Sequence, residues 1–254
     1  IISSSEFNMR VAVCISGVCA SKNANTNLKK NHDRLKQFFP DYDFHYATWV
    51  SYADAFEQNF PNQNCLYYPE PKINYHPYFD IPKELWESNR CDETKKFVMR
   101  GGLQRREWTS HHTKQHLIHA WLCDTIKDSY DIVIRARFDT WIYKHADFKS
   151  YIQDTFENNR INAFSATKQN YFDKLREFDT SPMGRHYHWI VDQMIIHPMS
   201  FMNREYVEQL HNEKRLHPAE MGWYQVLSKP NGNRHRCFDG WVNHDKNVLG
   251  RFFK

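Results

Sequence analysis

The chain has 254 residues, 41% of them apolar and 16% aromatic, and a formal charge of +4 with its histidines neutral. That length and apolar content suffice for a large α/β domain and argue against general disorder; so small a charge does not by itself imply nucleic-acid binding and suits an anionic small-molecule substrate. No apolar run approaches the ~18 residues needed to cross a bilayer, so the expectation is a soluble, cytoplasmic protein.

The opening IISSSEFN reads as an expression-derived extension ahead of a native start at Met9, lacking the basic start and long apolar run of a signal peptide. The six cysteines contain no C-x-x-C pair and read as reduced thiols of a cytosolic protein, neither a disulfide framework nor a zinc site. RVAVCISG (10–17) is an apolar run stopped by Ser16-Gly17, as a first buried parallel strand would be. NLKKNHDRLKQFF follows with Leu28, Leu35, Phe38 and Phe39 near helical spacing, and Pro40 ends it. FHYATWV (44–50) reads as a second strand, which makes a β-α-β start and predicts a parallel sheet with right-handed crossovers.

CLYYPEP (65–71) reads as a third strand cut short by prolines, and 69–106 as an irregular excursion. A helix with Thr109 or Ser110 as N-cap carries Ile118, Trp121, Leu122 and Thr125 on one stripe and leads into YDIVIRARFDTW (130–141). There Ile132, Val133 and Ile134 suit a doubly covered strand, whereas Arg135, Arg137 and Asp139 would cost several kcal/mol to bury without partners. The strand is therefore predicted to end before them, leaving the charges in a cleft. HWIVDQMIIHP is a strand-like run with one embedded acid, MSFMNREYVEQLHNE places Met199, Met202, Tyr206 and Leu210 on one helical face, and HPAEMGWYQVLSK predicts a helix beginning near Pro218. No element is read between Trp141 and Tyr187, and no linker divides the chain.

In open parallel sheets ligands sit beyond the carboxyl ends of the strands. The two polar strand ends here, Ser16-Gly17 and Arg135 to Asp139, are the candidate binding elements, with glycine permitting close backbone approach. Neither G-x-G-x-x-G nor G-x-x-x-x-G-K-[ST] occurs, which removes the dinucleotide and P-loop readings.

Four pieces in order, VAVCISG, a helix then YDIVIRARFD, WIVDQMIIHP before a helix opening with Met, and HPAEMGWYQVL before a final strand, resemble nucleotide-sugar glycosyltransferases of the GT-A type. The likeness is to the bacterial and viral lipopolysaccharide or capsule enzymes of the WavE kind. It implies one GT-A-like, Rossmann-like domain over 9–254, with a mostly parallel sheet flanked by helices. It also implies a nucleoside-diphosphate sugar as donor, a glycan or glycoprotein as acceptor, and manganese or magnesium as cofactor. Asp139 corresponds to the metal-binding last carboxylate of the family's Asp-x-Asp motif, but Arg137 stands where its first Asp would be. Guanidinium groups grip phosphate oxygens bidentately, so Arg135 and Arg137 are candidates to supply part of the cation's charge.

Asp192 is the candidate carboxylate beside the transferred sugar, a general base if the reaction inverts, with Gln193 next to it as a binding residue. Glu220 is a weaker binding candidate that also suits the first turn of a helix, and His244 a candidate late metal ligand. The plainer alternatives are a structural ion pair between Arg135 and Asp139, and a turn cap at Asp192. Two other functions compete: a metal-dependent phosphoesterase or nuclease built on Asp139, Asp192 and His244, and a non-catalytic carbohydrate-binding module using some of the 14 Tyr and 8 Trp.

Overall fold

The computed structural model describes residues 9–20, 27–73, 105–143, 147–165, 176–177, 190–217, 222–239 and 242–243. Strand β1 (Val11–Ser16) is buried at all six positions and pairs in parallel with both β2 (Asp43–Trp49) and β4 (Ile132–Ala136). With β3 (Cys65–Tyr68), β6 (Ile161–Ser165), β7 (Arg176–Glu177), β8 (Met194–Pro198) and β9 (His235–Asp239), they form an eight-stranded sheet in the order β3-β2-β1-β4-β8-β6-β9-β7. Pairing is parallel except where β8 meets β4 and β6 and where β7 meets β9. A separate two-stranded ribbon pairs β5 (Trp141–Ile142) with β10 (Val242–Asn243).

Alternate residues of a strand face opposite sides of its sheet, and both sides of β1 are covered. Val11, Val13 and Ile15 share a cluster with Leu28 and Leu35 of α1 (Leu28–Phe38), Phe56 of α2 (Ala53–Asn59) and Ile152 of α4 (Lys149–Asn158). Ala12 and Cys14 pack on the other side with Ile118, Leu122 and Cys123 of α3 (Arg105–Ile126). That layer continues into a cluster containing Val207 and Leu210 of α5 (Arg204–Asn212) together with Ile195 and Trp223. Each fully buried Leu or Ile contributes about 1.5–3 kcal/mol of transfer free energy, which offsets the entropy of fixing the chain. Helix α1 starts where expected because the Asn27 side chain accepts the Lys30 N–H at 2.9 Å.

Several local expectations change, among them the helix read from Met199, which is a 3-10 turn over Met199–Phe201 followed by α5 from Arg204. β4 does not stop before Arg135 but runs to Ala136, with Arg135 fully buried. α3 begins at Arg105, ahead of the expected cap at Thr109 or Ser110. Of the strand-like run expected over HWIVDQMIIHP, the described part begins at residue 190 and is strand over Met194–Pro198, so Asp192 and Gln193 lie in the turn before it. Near the expected last helix the chain forms a π-helical turn over Tyr224–Ser228, and α4, β6 and β7 occupy described parts of the stretch between Trp141 and Tyr187. The central, mostly parallel, helix-flanked sheet is as expected. Among the described residues no helix is long and apolar enough to cross a membrane.

Candidate active site

The chain leaves β1 toward β2 on one side and reaches β4 on the other, so the strand order reverses between β1 and β4. Such a reversal opens a crevice at the carboxyl ends of the two strands. Register puts the same level on all three neighbours: Ile15 lies opposite Ala136, and Ala136 opposite Met194. Because β8 is antiparallel to β4, the residues preceding Met194 emerge at the end where the residues following Ala136 do. Ser16-Gly17, Arg137 to Asp139 and Asp192-Gln193 therefore converge at one edge of the sheet, although they are separated widely in sequence.

Ser16 belongs to the same side of β1 as Cys14, and its hydroxyl lies 3.4 Å from His119 Nδ1 in the interior. What reaches the strand end is the backbone of Gly17, held by its N–H to the Ala47 carbonyl at 3.1 Å and by the Thr48 hydroxyl on its own carbonyl at 2.8 Å. Gly17 has φ of 124°, a conformation that strains any residue with a Cβ, and an added Cβ would meet no described atom within 4 Å. The turn thus needs glycine for its backbone, and space opens beside it.

Arg135 is wholly buried with specific partners. Its Nη1 donates to the Asp192 carbonyl, its Nη2 donates to Gln115 Oε1 at 2.7 Å, and its guanidinium carbon lies 4.6 Å from the centre of the Trp223 ring. Nε has no hydrogen-bond partner among the described residues. Burial pulls its pKa down to about 9; Asp192 raises it, Arg137 lowers it and Asp139 raises it. The group stays charged at neutral pH and fixes the turn carrying Asp192 to the end of β4. It is not exposed in a cleft, as its sequence position suggested, because Trp223, Gln115 and a main-chain carbonyl replace water around it.

Arg137 is the group at the surface of this cluster. Its Nε and Nη2 donate to the two oxygens of Asp139, each at 2.9 Å, and its Nη1 lies 3.5 Å from the nearly buried carboxylate of Asp192. The Arg137 N–H donates to Thr140 Oγ1 at 2.9 Å, and that hydroxyl donates to the Gln193 carbonyl at 3.1 Å, tying the two turns together. The ion pair foreseen between Arg135 and Asp139 is instead made by Arg137, two positions from its partner. Glu220 and His244 lie outside the described residues.

A hard divalent cation needs carboxylate lone pairs directed at it. Here the guanidinium of Arg137 engages both oxygens of Asp139 and approaches Asp192, occupying the place between them. The described residues, so arranged, do not fit a divalent cation. Gln115, Thr140 and Trp223 were not foreseen. The first two are ordinary polar residues whose role depends on the fold, and Trp223 gave no signal beyond its size.

No family model matches the chain, and no curated protein matches it. Solved structures do. A glycosyltransferase involved in glycosylation of the major capsid of PBCV-1 is 11% identical, with 92% of this chain and 94% of that chain covered at a TM-score of 0.43. The 4-diphosphocytidyl-2C-methyl-D-erythritol synthase of Anaerococcus prevotii is 6% identical over 91% and 87%, at 0.49. Core-mannan synthase A of Aspergillus fumigatus, in a Mn/GDP form, is 11% identical over 88% and 70%, at 0.44. At these identities and scores the likenesses speak for no single activity.

Proposed function

We propose that the chain transfers a sugar from a nucleoside-diphosphate sugar to a hydroxyl of a glycan or glycoprotein. The observation that carries this reading is the convergence of a glycine turn, a surface guanidinium and a nearly buried carboxylate at the strand-order reversal. The donor's base lies against the Gly17 turn and its diphosphate against Arg137. A diphosphate offers the same bidentate oxygen geometry as Asp139 and competes for Arg137. Buried Arg135 adds positive potential from behind. As the bond from anomeric carbon to phosphate oxygen breaks, its electron pair leaves with the diphosphate, where the guanidinium stabilises the growing charge. The acceptor oxygen bonds to the anomeric carbon and its proton passes to Asp192, whose carboxylate lies 3.5 Å from Arg137 Nη1; in a retaining course Asp192 instead stabilises the sugar. None of these steps needs a cation. Engagement of Asp139 by Arg137 likewise weighs against a metal-dependent phosphoesterase.

Thermal shift against UDP, GDP, TDP and CMP, each with and without manganese, tests this. Selective stabilisation by a nucleoside diphosphate is expected, since a ligand at about 100 times its dissociation constant adds about 2.7 kcal/mol. Asp192→Asn should keep that response and lose transfer. Absence of any nucleotide response, or full transfer by Asp192→Asn, overturns the reading.

A further inference from the structure

Beneath the site, on the α3 side of the sheet, three potential metal ligands meet in the interior. His119 and Cys123 are one helical turn apart on α3 and so share a face, and His197 reaches the same side from β8. All three are buried, and their ligating atoms lie within 4.8 Å of one another. His119 Nε2 is 3.0 Å from His197 Nε2 and 3.5 Å from Cys123 Sγ. Around a tetrahedral zinc ion, bond lengths of about 2.05 Å to nitrogen and 2.3 Å to sulfur set edges of about 3.3 Å between nitrogens and about 3.5 Å between nitrogen and sulfur. The nitrogen pair closes a few tenths of an ångström tighter than that, the edge from His119 to the sulfur matches, and the edge from His197 to the sulfur lies within 4.8 Å.

The far nitrogens are held as zinc-ligating histidines are held. His197 Nδ1 donates to the Pro198 carbonyl at 2.8 Å, and His119 Nδ1 lies 3.4 Å from the Ser16 hydroxyl, so both Nε2 atoms are directed inward.

We infer that His119, Cys123 and His197 form a buried zinc site that fastens α3 to β8 beneath the end of β1. Mixed imidazole and thiolate ligands select zinc over the hard cations expected at a diphosphate. Burial holds His197 at about 4 and His119 well below the usual histidine value, so both imidazoles offer lone pairs at neutral pH. Burial also pushes the Cys123 thiol well above its usual value, with the neighbouring Cys14 thiol, its hydrogen-bond partner, adding to the effect. Zinc entry therefore displaces the Cys123 proton to solvent as the sulfur–zinc bond forms, during folding while the site is still open. Arg135 bears on both imidazoles as a like charge, which the negative charge of a Cys123 thiolate offsets.

The rival arrangement is a metal-free chain in which Ser16 donates to His119, His119 to His197 and His197 to the Pro198 carbonyl. The two are separated by producing the full chain in zinc- or cobalt-supplemented medium, dialysing it against a weak chelator, and measuring metal by mass spectrometry and absorption. The zinc site predicts about one equivalent per chain and a thiolate-to-cobalt charge-transfer band in the cobalt form. Cys123→Ser should lose both, and Asp139→Ala should keep both. A wild-type chain with no retained zinc, or a cobalt form without the thiolate band, overturns the inference whether or not the variants fold. Retention unchanged in Cys123→Ser overturns it too, by assigning the metal to other histidines.

Discussion

Arg137 serves two carboxylates at once, which makes it the residue on which the electrostatics of the site turn. Removing it leaves Asp139 and Asp192 close together with no guanidinium between them, and two carboxylates so placed attract a divalent cation or share a proton. Arg137→Ala should therefore bind manganese in calorimetric titrations that are flat for the wild type; equal titrations would show that the guanidinium is not what keeps the cation out. A second residue sets a pH dependence. His32 sits among Phe44, Tyr46 and Phe60, bonded to the Tyr46 hydroxyl, and burial first, then Lys36, lowers its pKa against the opposing pull of Asp33. A histidine depressed in the folded state is protonated more readily when unfolded. Its stabilisation is complete above the unfolded value of about 6.5 and declines as pH falls through and below it. The melting temperature should fall from pH 7.5 to pH 5.5 by less in His32→Gln than in the wild type. Equal falls would place the proton uptake elsewhere.

At the scale of elements, caps and register decide where functional groups come to rest. Asn203 accepts the Tyr206 N–H at 3.0 Å and starts α5, whose Val207 and Leu210 seal one side of the sheet. Asn203→Ala should cost about 1 kcal/mol in urea unfolding and leave the nucleotide response unchanged; a changed response would mean that α5 is coupled to the site. The first three strands and α1 were legible because apolar runs bounded by glycine, proline or a cap have few other conformations open to them. The end of β4 was misread for a definite reason. A sequence shows that Arg135 is charged but not that Gln115, Trp223 and the Asp192 carbonyl wait around it, and those partners let the strand continue. The pair His119 and Cys123, one helical turn apart, was visible in the sequence, but His197 joins it only through the β4–β8 register that sets His197 opposite Val133.

For the whole molecule, Trp223 joins the site to the core. It packs on Arg135, with its ring centre 4.3 Å from that of His116 and 5.5 Å from that of His119, within the cluster that also contains Leu117, Ile195 and Val207. Trp223→Ala should cost about 3–5 kcal/mol and, by loosening Arg135, weaken the nucleotide response as well. Stability lost with the response intact would separate the core from the site. The sequence by itself determined the α/β class, the parallel start of the sheet and the two polar strand ends, because hydrophobic period and chain punctuation are local properties. Only the tertiary structure decided which charges meet. Pairing β8 antiparallel to β4 delivers Asp192 to Arg137 and His197 to His119, and such long-range register depends on which faces can be buried together, which no single segment specifies.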